Sequence, residues 1–498
     1  MLPLILAFLL MGLGDVYQSS SEQETDTSLG HRIALSLEGE LPNLSEDQYQ
    51  QASSGGIDFL LFNHLEQLQG VPVEPFYLIF QFPIEYPTLS KIESESSQFI
   101  REIISETNDL ANRYPGKITS VGLFKYPNEI HPRFNVQAAA IADSVKAGVQ
   151  LPVFFQTALS DGSRPRPQHV DFRVYTDLEN NPVQNRNAVH FRPSEDLRES
   201  LIRLEQLVVE TLRHEESLII LPAEWYFQEI STKPDFEIIF SSYRDGVHIP
   251  FPIPYRAETP PAMNWNVIFL FVIFGSILVH ARLQPAYLPS LSRYFFNHSF
   301  YLEDVLEHRI RNMIPGLIIL LQHALTTGVI FYLSAEMLFN SIGLEVLRHH
   351  FSSILWTSNP YLSLFIFGFV LAVFLQVISV LWLHLPNKNL RHLSQTLNLY
   401  AWPLHINFLV AAIFIVLYGS NPGDTLIASI LIAYLFVWFM SFNFAALDAS
   451  KYLERLKLVY LLVTVGLHIL LFGYLFWAAF NFPSIHEPLQ MALTFSGH

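Results

Sequence analysis

Between residues 31 and 250, short apolar runs alternate with longer amphipathic ones. The runs IALSLEG (33–39), IDFLLFN (57–63), FYLIFQF (76–82), ITSVGLF (118–124), LPVFFQT (151–157), FRVYTD (172–177), AVHFRP (188–193), LIILPAEW (218–225) and FEIIFSS (236–242) read as strands. Most are nearly continuous in apolar residues, the pattern of strands buried on both faces. Helical runs separate them: one opening at Ser45, one over 94–114, one over 135–148 that closes on Gly148, and one over 194–216 that opens at Ser194. Repeated β–α order predicts a parallel sheet covered by helices. Eight or nine strands in about 220 residues suit a (β/α)8-like barrel; an open doubly wound sheet is the other arrangement this order allows.

The pattern changes after residue 245. Residues 246–263 are rich in proline and read as a stiff stalk. Six apolar runs follow, near 264–281, 313–335, 361–384, 400–418, 425–445 and 458–480, each close to the ~20 residues a spanning helix needs. The segment 283–312 mixes aromatic and charged residues and predicts an interfacial helix beneath the bundle. At the other end, residues 2–14 are apolar and uncharged but too short to span, which fits a signal peptide over 1–14 and a polar linker over 15–30. The expected order is therefore signal peptide, linker, α/β domain (31–245), stalk, all-α transmembrane domain (264–480) and an extracytoplasmic tail (481–498).

Charge sharpens this division. Residues 264–498 carry 10 basic and 9 acidic side chains, whereas 1–263 carry 19 and 36, so the net charge of −16 belongs to the front half. An acidic domain repels nucleic acid, which is excluded as a partner. With no cysteine in the chain, disulfides, thiol nucleophiles and zinc–thiolate sites are excluded too. With the front domain exported, the inner connections hold Arg282, Arg293, Arg309, Arg311, Lys388, Arg391, Lys451, Arg455 and Lys457. The outer segments hold Arg348 alone. Nine against one is a strong positive-inside bias, and it predicts a multi-pass membrane protein with an extracytoplasmic front domain.

Polar residues at strand ends supply the candidate chemistry. Glu38 and Glu40 follow the first strand, and Asn63 and His64 the second; such positions form the ligand rim of a barrel. His131 and His169 lack metal-ligand spacing with any carboxylate, so no metal or other cofactor is expected. Inside the predicted spans lie His323, His405 and His468, with Gln376, Asn407 and Asn443. At membrane depth these suit either interhelical hydrogen bonds or a proton path.

Two segments, ITSVGLFKYPNE (118–129) and LIILPAEWYF (218–227), resemble strands of the (β/α)8-barrel glycoside hydrolases that carry two catalytic glutamates. That resemblance implies an acid/base at Glu129, a sugar-binding Asn128, a nucleophile at Glu224, and Trp225 and Tyr226 stacked on a sugar ring. The last five spans resemble Yip-type membrane proteins and, equally, uncharacterised six-helix bacterial families, which implies no activity. Two functions are therefore expected in turn. One is a membrane-anchored binding or scaffold module, with the bilayer, a carbohydrate ligand or an envelope protein as partners. The other is a membrane-tethered retaining glycosidase.

Overall fold

The computed structural model describes all residues except 1–29, 39–45, 130, 159–166, 178–185, 195, 232, 256–264, 421–422, 452, 454–455 and 497–498. The signal-peptide and linker assignments, Glu40 and the end of the stalk lie outside the described residues. Two compact units divide the chain near residue 259.

The first unit is a closed barrel of eight parallel strands: β1 (His31–Ser36), β2 (Phe59–Phe62), β3 (Tyr77–Gln81), β4 (Ile118–Lys125), β5 (Val153–Thr157), β6 (Phe172–Thr176), β7 (Ala188–His190) and β8 (Ser217–Pro222). Pairing of β1 with β8 closes the ring. Alternate side chains divide the apolar residues into two layers, as the twofold period of a strand requires. Ala34, Phe59, Leu61, Ile79, Phe154, Val174, Ala188 and Ile220 fill the barrel interior. Ile33, Leu35, Phe62, Leu78, Phe80, Phe155, Val189 and Leu221 face outward and pack beneath the helices.

Those helices are α1 (Glu46–Ser54), α2 (Leu89–Arg113), α3 (Pro132–Val149), α4 (Leu197–Thr211) and α5 (Pro234–Arg244). No helix joins β5 to β6 or β6 to β7 among the described residues, so the barrel is less regular than a full (β/α)8 repeat. FEIIFSS, expected as a ninth strand, lies within α5. Its buried residues Phe236, Ile239, Phe240 and Tyr243 recur at helical spacing, and the ring is already closed without it. Gly148 is not the cap of α3: Gln150 takes the left-handed conformation (φ 55°), and Gly148 lies against Ile104 of α2. Nor does the stalk begin at 246. Phe251 is buried against Phe236 and Phe240, so the barrel's outer core extends at least that far.

In the second unit, five helical spans are long and apolar enough to cross a membrane: Ile314–Leu338, Pro360–His384, Leu393–Tyr418, Thr425–Ala449 and Lys457–Asn481. A sixth is added if Val267–Leu283 and Tyr287–Phe296, bent by 105° at their junction, count as one span. The bend falls at Pro285, which cannot continue the helix. The region expected as one interfacial helix forms two, Tyr287–Phe296 and His298–Leu306. The expected tail is largely a helix, Pro483–Phe495. It docks on Ser341–His350, where Asn340 Nδ2 donates to the Phe495 carbonyl (2.8 Å) and the Asn340 N–H donates to Ser496 Oγ (3.1 Å).

Candidate functional site at the barrel mouth

The interior of the barrel is apolar towards the strand N-termini and polar at the C-terminal ends. The inward-facing series Ala34, Ser36, Glu38 shows the change along β1, and Phe172, Val174, Thr176 shows it along β6. The same parity brings Asn63, Gln81, Gln156 and His190 to the mouth. On β4 the register shifts between Gly122 and Phe124. Leu123 and Phe124 both fall in the outer layer, and Lys125 returns to the interior. An irregularity of this kind re-aims a side chain at a site.

Lys125 is the centre of the cluster. Its Nζ lies 2.7 Å from Glu38 Oε2 and 2.7 Å from Glu85 Oε1. Glu38 also accepts from Asn63 Nδ2 (3.1 Å). Burial alone would lower the Lys125 ammonium, but Glu38, with Tyr126 and Glu85, outweighs it and holds the group above the ordinary lysine value. Burial would likewise raise the Glu38 carboxyl, yet Lys125 and then His190 hold it below the usual range. An ammonium fixed in this way stays charged and is a poor nucleophile or base.

Beside the triad, Gln156 Nε2 donates to His190 Nδ1 (3.0 Å) and lies 3.3 Å from both Tyr126 Oη and Thr176 Oγ1. The amide N–H group can only donate, so His190 Nδ1 accepts and the ring proton sits on Nε2. Burial pushes the His190 pKa down to about 4, which keeps the ring neutral. Tyr86 and Tyr126 both adopt left-handed backbone (φ 48° and 55°), and their rings stack at 5.2 Å. Two bulky residues in that region mark local strain of the sort that gathers at functional sites.

The sequence-predicted residues fall into two groups. Glu38 and Asn63 belong to the mouth cluster. His64 is exposed next to it and leads into the 3-10 turn Leu65–Leu68. Asn128 and Glu129 are buried, and Glu129 forms an ion pair with Arg173, whose position on β6 faces the outer layer. Glu224 follows β8 on the opposite side of the ring, is exposed, and accepts from Gln228 Nε2 (3.1 Å). Trp225 packs on Phe191, and Tyr226 is a core residue against Phe227 and Phe240. Lys125, Glu85, Tyr126, Gln156, Thr176 and His190 escaped the sequence reading. Gln156, Thr176 and His190 left one signal, a polar residue at the last inward position of an otherwise apolar run; Glu85 and Tyr126 lie beyond their strands, and the β4 register shift hid Lys125.

The histidines of the long apolar helices have separate partners. His323 lies between Gln376 (2.8 Å) and Asn407 (2.9 Å), His405 contacts Tyr287 Oη (2.6 Å), and His468 contacts Asn443 (3.2 Å). Among the described residues no group of three His, Asp or Glu side chains is placed to hold a metal ion. No family model matches the chain, and no curated protein or solved structure shows significant similarity to it.

Proposed function

We propose that the chain is a multi-pass cell-envelope membrane protein that presents its acidic barrel outside the cytoplasm, as a ligand-binding module on a six-helix anchor. The observation that carries the binding role is the polar layer at the barrel's C-terminal mouth, the end where such barrels place ligands. The triad sets one ammonium against two carboxylates, and its lysine is held protonated, which favours recognition over covalent chemistry. A two-glutamate glycosidase would need both carboxyls about 5 Å apart across one sugar. Glu129 held by Arg173, Glu224 with Gln228, and Tyr226 in the core weigh against that reading.

Export of the barrel rests on the nine-to-one distribution of basic residues between the two sets of connections. A reporter active only outside the cytoplasm should be active when fused after His498 and silent when fused at Asn389. The reverse pattern would place the barrel inside the cell and remove the envelope assignment.

A further inference from the structure

Four polar atoms that face the upper barrel interior have no hydrogen-bond partner among the described residues: Ser36 Oγ, Asn63 Oδ1, Gln81 Oε1 and His190 Nε2. Ser36 and Gln81 are buried, and Asn63 and His190 are half-buried. They come from β1, β3, β7 and the end of β2. Buried polar atoms are almost always satisfied, and each unsatisfied one is costly. Four around one mouth are therefore a feature that needs a polar occupant.

Their chemistry restricts that occupant. Gln81 Nε2 donates to the Phe82 carbonyl (3.1 Å) and Asn63 Nδ2 donates to Glu38, so both amides turn their oxygens, which only accept, towards the interior. His190 Nε2 carries the ring proton and donates, while Ser36 can do either. Phosphate or carboxylate, which only accepts, would meet two acceptors. An ammonium would meet Lys125, already committed to Glu38 and Glu85. Hydroxyl groups, which both donate and accept, satisfy all four. Gly122 lets the Gln81 amide and the Phe154 ring pack directly against the β4 backbone: a Cβ there would lie 2.1 Å from Gln81 Oε1 and 2.7 Å from the Phe154 ring.

Resting on the mouth as the binding site, we infer that the barrel takes a neutral polyhydroxylated ligand, a saccharide or cyclitol, through Ser36, Asn63, Gln81 and His190.

The test uses the full chain in lipid nanodiscs, so that no glycoside detergent competes. Glucose, N-acetylglucosamine and myo-inositol are titrated calorimetrically beside inorganic phosphate, glucuronate and glucosamine. Two variants, Ser36→Ala and Gln81→Met, each remove one orphaned atom with little change in volume; Gln81→Met also removes the bond to the Phe82 carbonyl, which keeps its donor in the Ile84 N–H (2.8 Å). The expected result is binding of at least one neutral probe, weakened about tenfold in each variant, the loss of one hydrogen bond, with an unfolding temperature equal to or above wild type. Binding of charged probes alone, weakened by the same variants, would overturn the neutral-ligand inference and leave the mouth as the site. No binding by any probe, or binding that both variants leave unchanged, would overturn the site as well.

Discussion

Replacing Arg173 with Met is expected to destabilise the barrel by about 3–5 kcal/mol, the usual effect of leaving one partner of a buried ion pair uncompensated. Both side chains are almost fully enclosed, at 7% exposure for Arg173 and 2% for Glu129. For a unit of this size, that corresponds to roughly 10 °C in unfolding temperature. Glu129→Gln should also destabilise, because it leaves the guanidinium buried with a neutral partner. The double variant Arg173→Met/Glu129→Gln should lose much less than the sum of the two single losses. Urea unfolding of the full chain in nanodiscs, followed by circular dichroism, reads this cycle. A Glu129 poised for catalysis would behave differently, since its removal would relieve strain and leave stability unchanged or raised.

The second large effect lies at the mouth. Lys125→Met should cost about 2–3 kcal/mol near neutral pH. The figure is below that of a fully buried pair because Glu38 and Glu85 keep 20% and 35% of their side-chain surface exposed. The loss should depend on pH. The Glu38 carboxyl is held below its ordinary value, so its contribution is complete above that value and disappears as pH falls through the lowered one. The Lys125 ammonium is held above its ordinary value, so its contribution is complete below ~10.4 and disappears as pH rises through the raised one. The difference between wild type and Lys125→Met should therefore be largest from about pH 5 to 10 and shrink in acid. His190, next to the triad, adds a second pH dependence. With its pKa depressed to about 4, the folded state binds fewer protons than the unfolded chain between ~6.5 and 4, so stability falls as pH drops through that range. His190→Gln should flatten that part of the curve. A pH-independent loss in Lys125→Met would show that the triad does not carry the charges assigned to it.

Much of this architecture was legible in the chain. All eight barrel strands lie on the apolar runs at 33–39 through 218–225, because strands buried on both faces need continuous apolar sequence. The run at 236–242 misled because four apolar positions in a short segment fit a strand and a helix face alike; only closure of the ring decides between them. The helical spans were equally plain, since length and hydropathy alone define them. At the site, Glu38 and Asn63 were recognisable from their places at strand ends. Lys125 was hidden by the register shift on β4, which changes the parity that would otherwise turn position 125 outward. Gln156 and His190 were visible only to a reading that follows inward parity to the end of each strand. The motif ending in Asn128 and Glu129 drew attention to a carboxylate whose partner, Arg173, lies 44 positions further on. No local pattern announces that pairing.

The most direct test of the binding-module account is turnover of a broad panel of aryl glycosides by the purified full chain, with Glu129→Gln and Glu224→Gln assayed beside it. The account predicts no turnover above the blank for wild type, lowered stability in Glu129→Gln, and nearly wild-type stability in Glu224→Gln, whose carboxylate is exposed. Robust wild-type hydrolysis, abolished by both substitutions at unchanged unfolding temperature, would contradict it and establish the two glutamates as a catalytic pair.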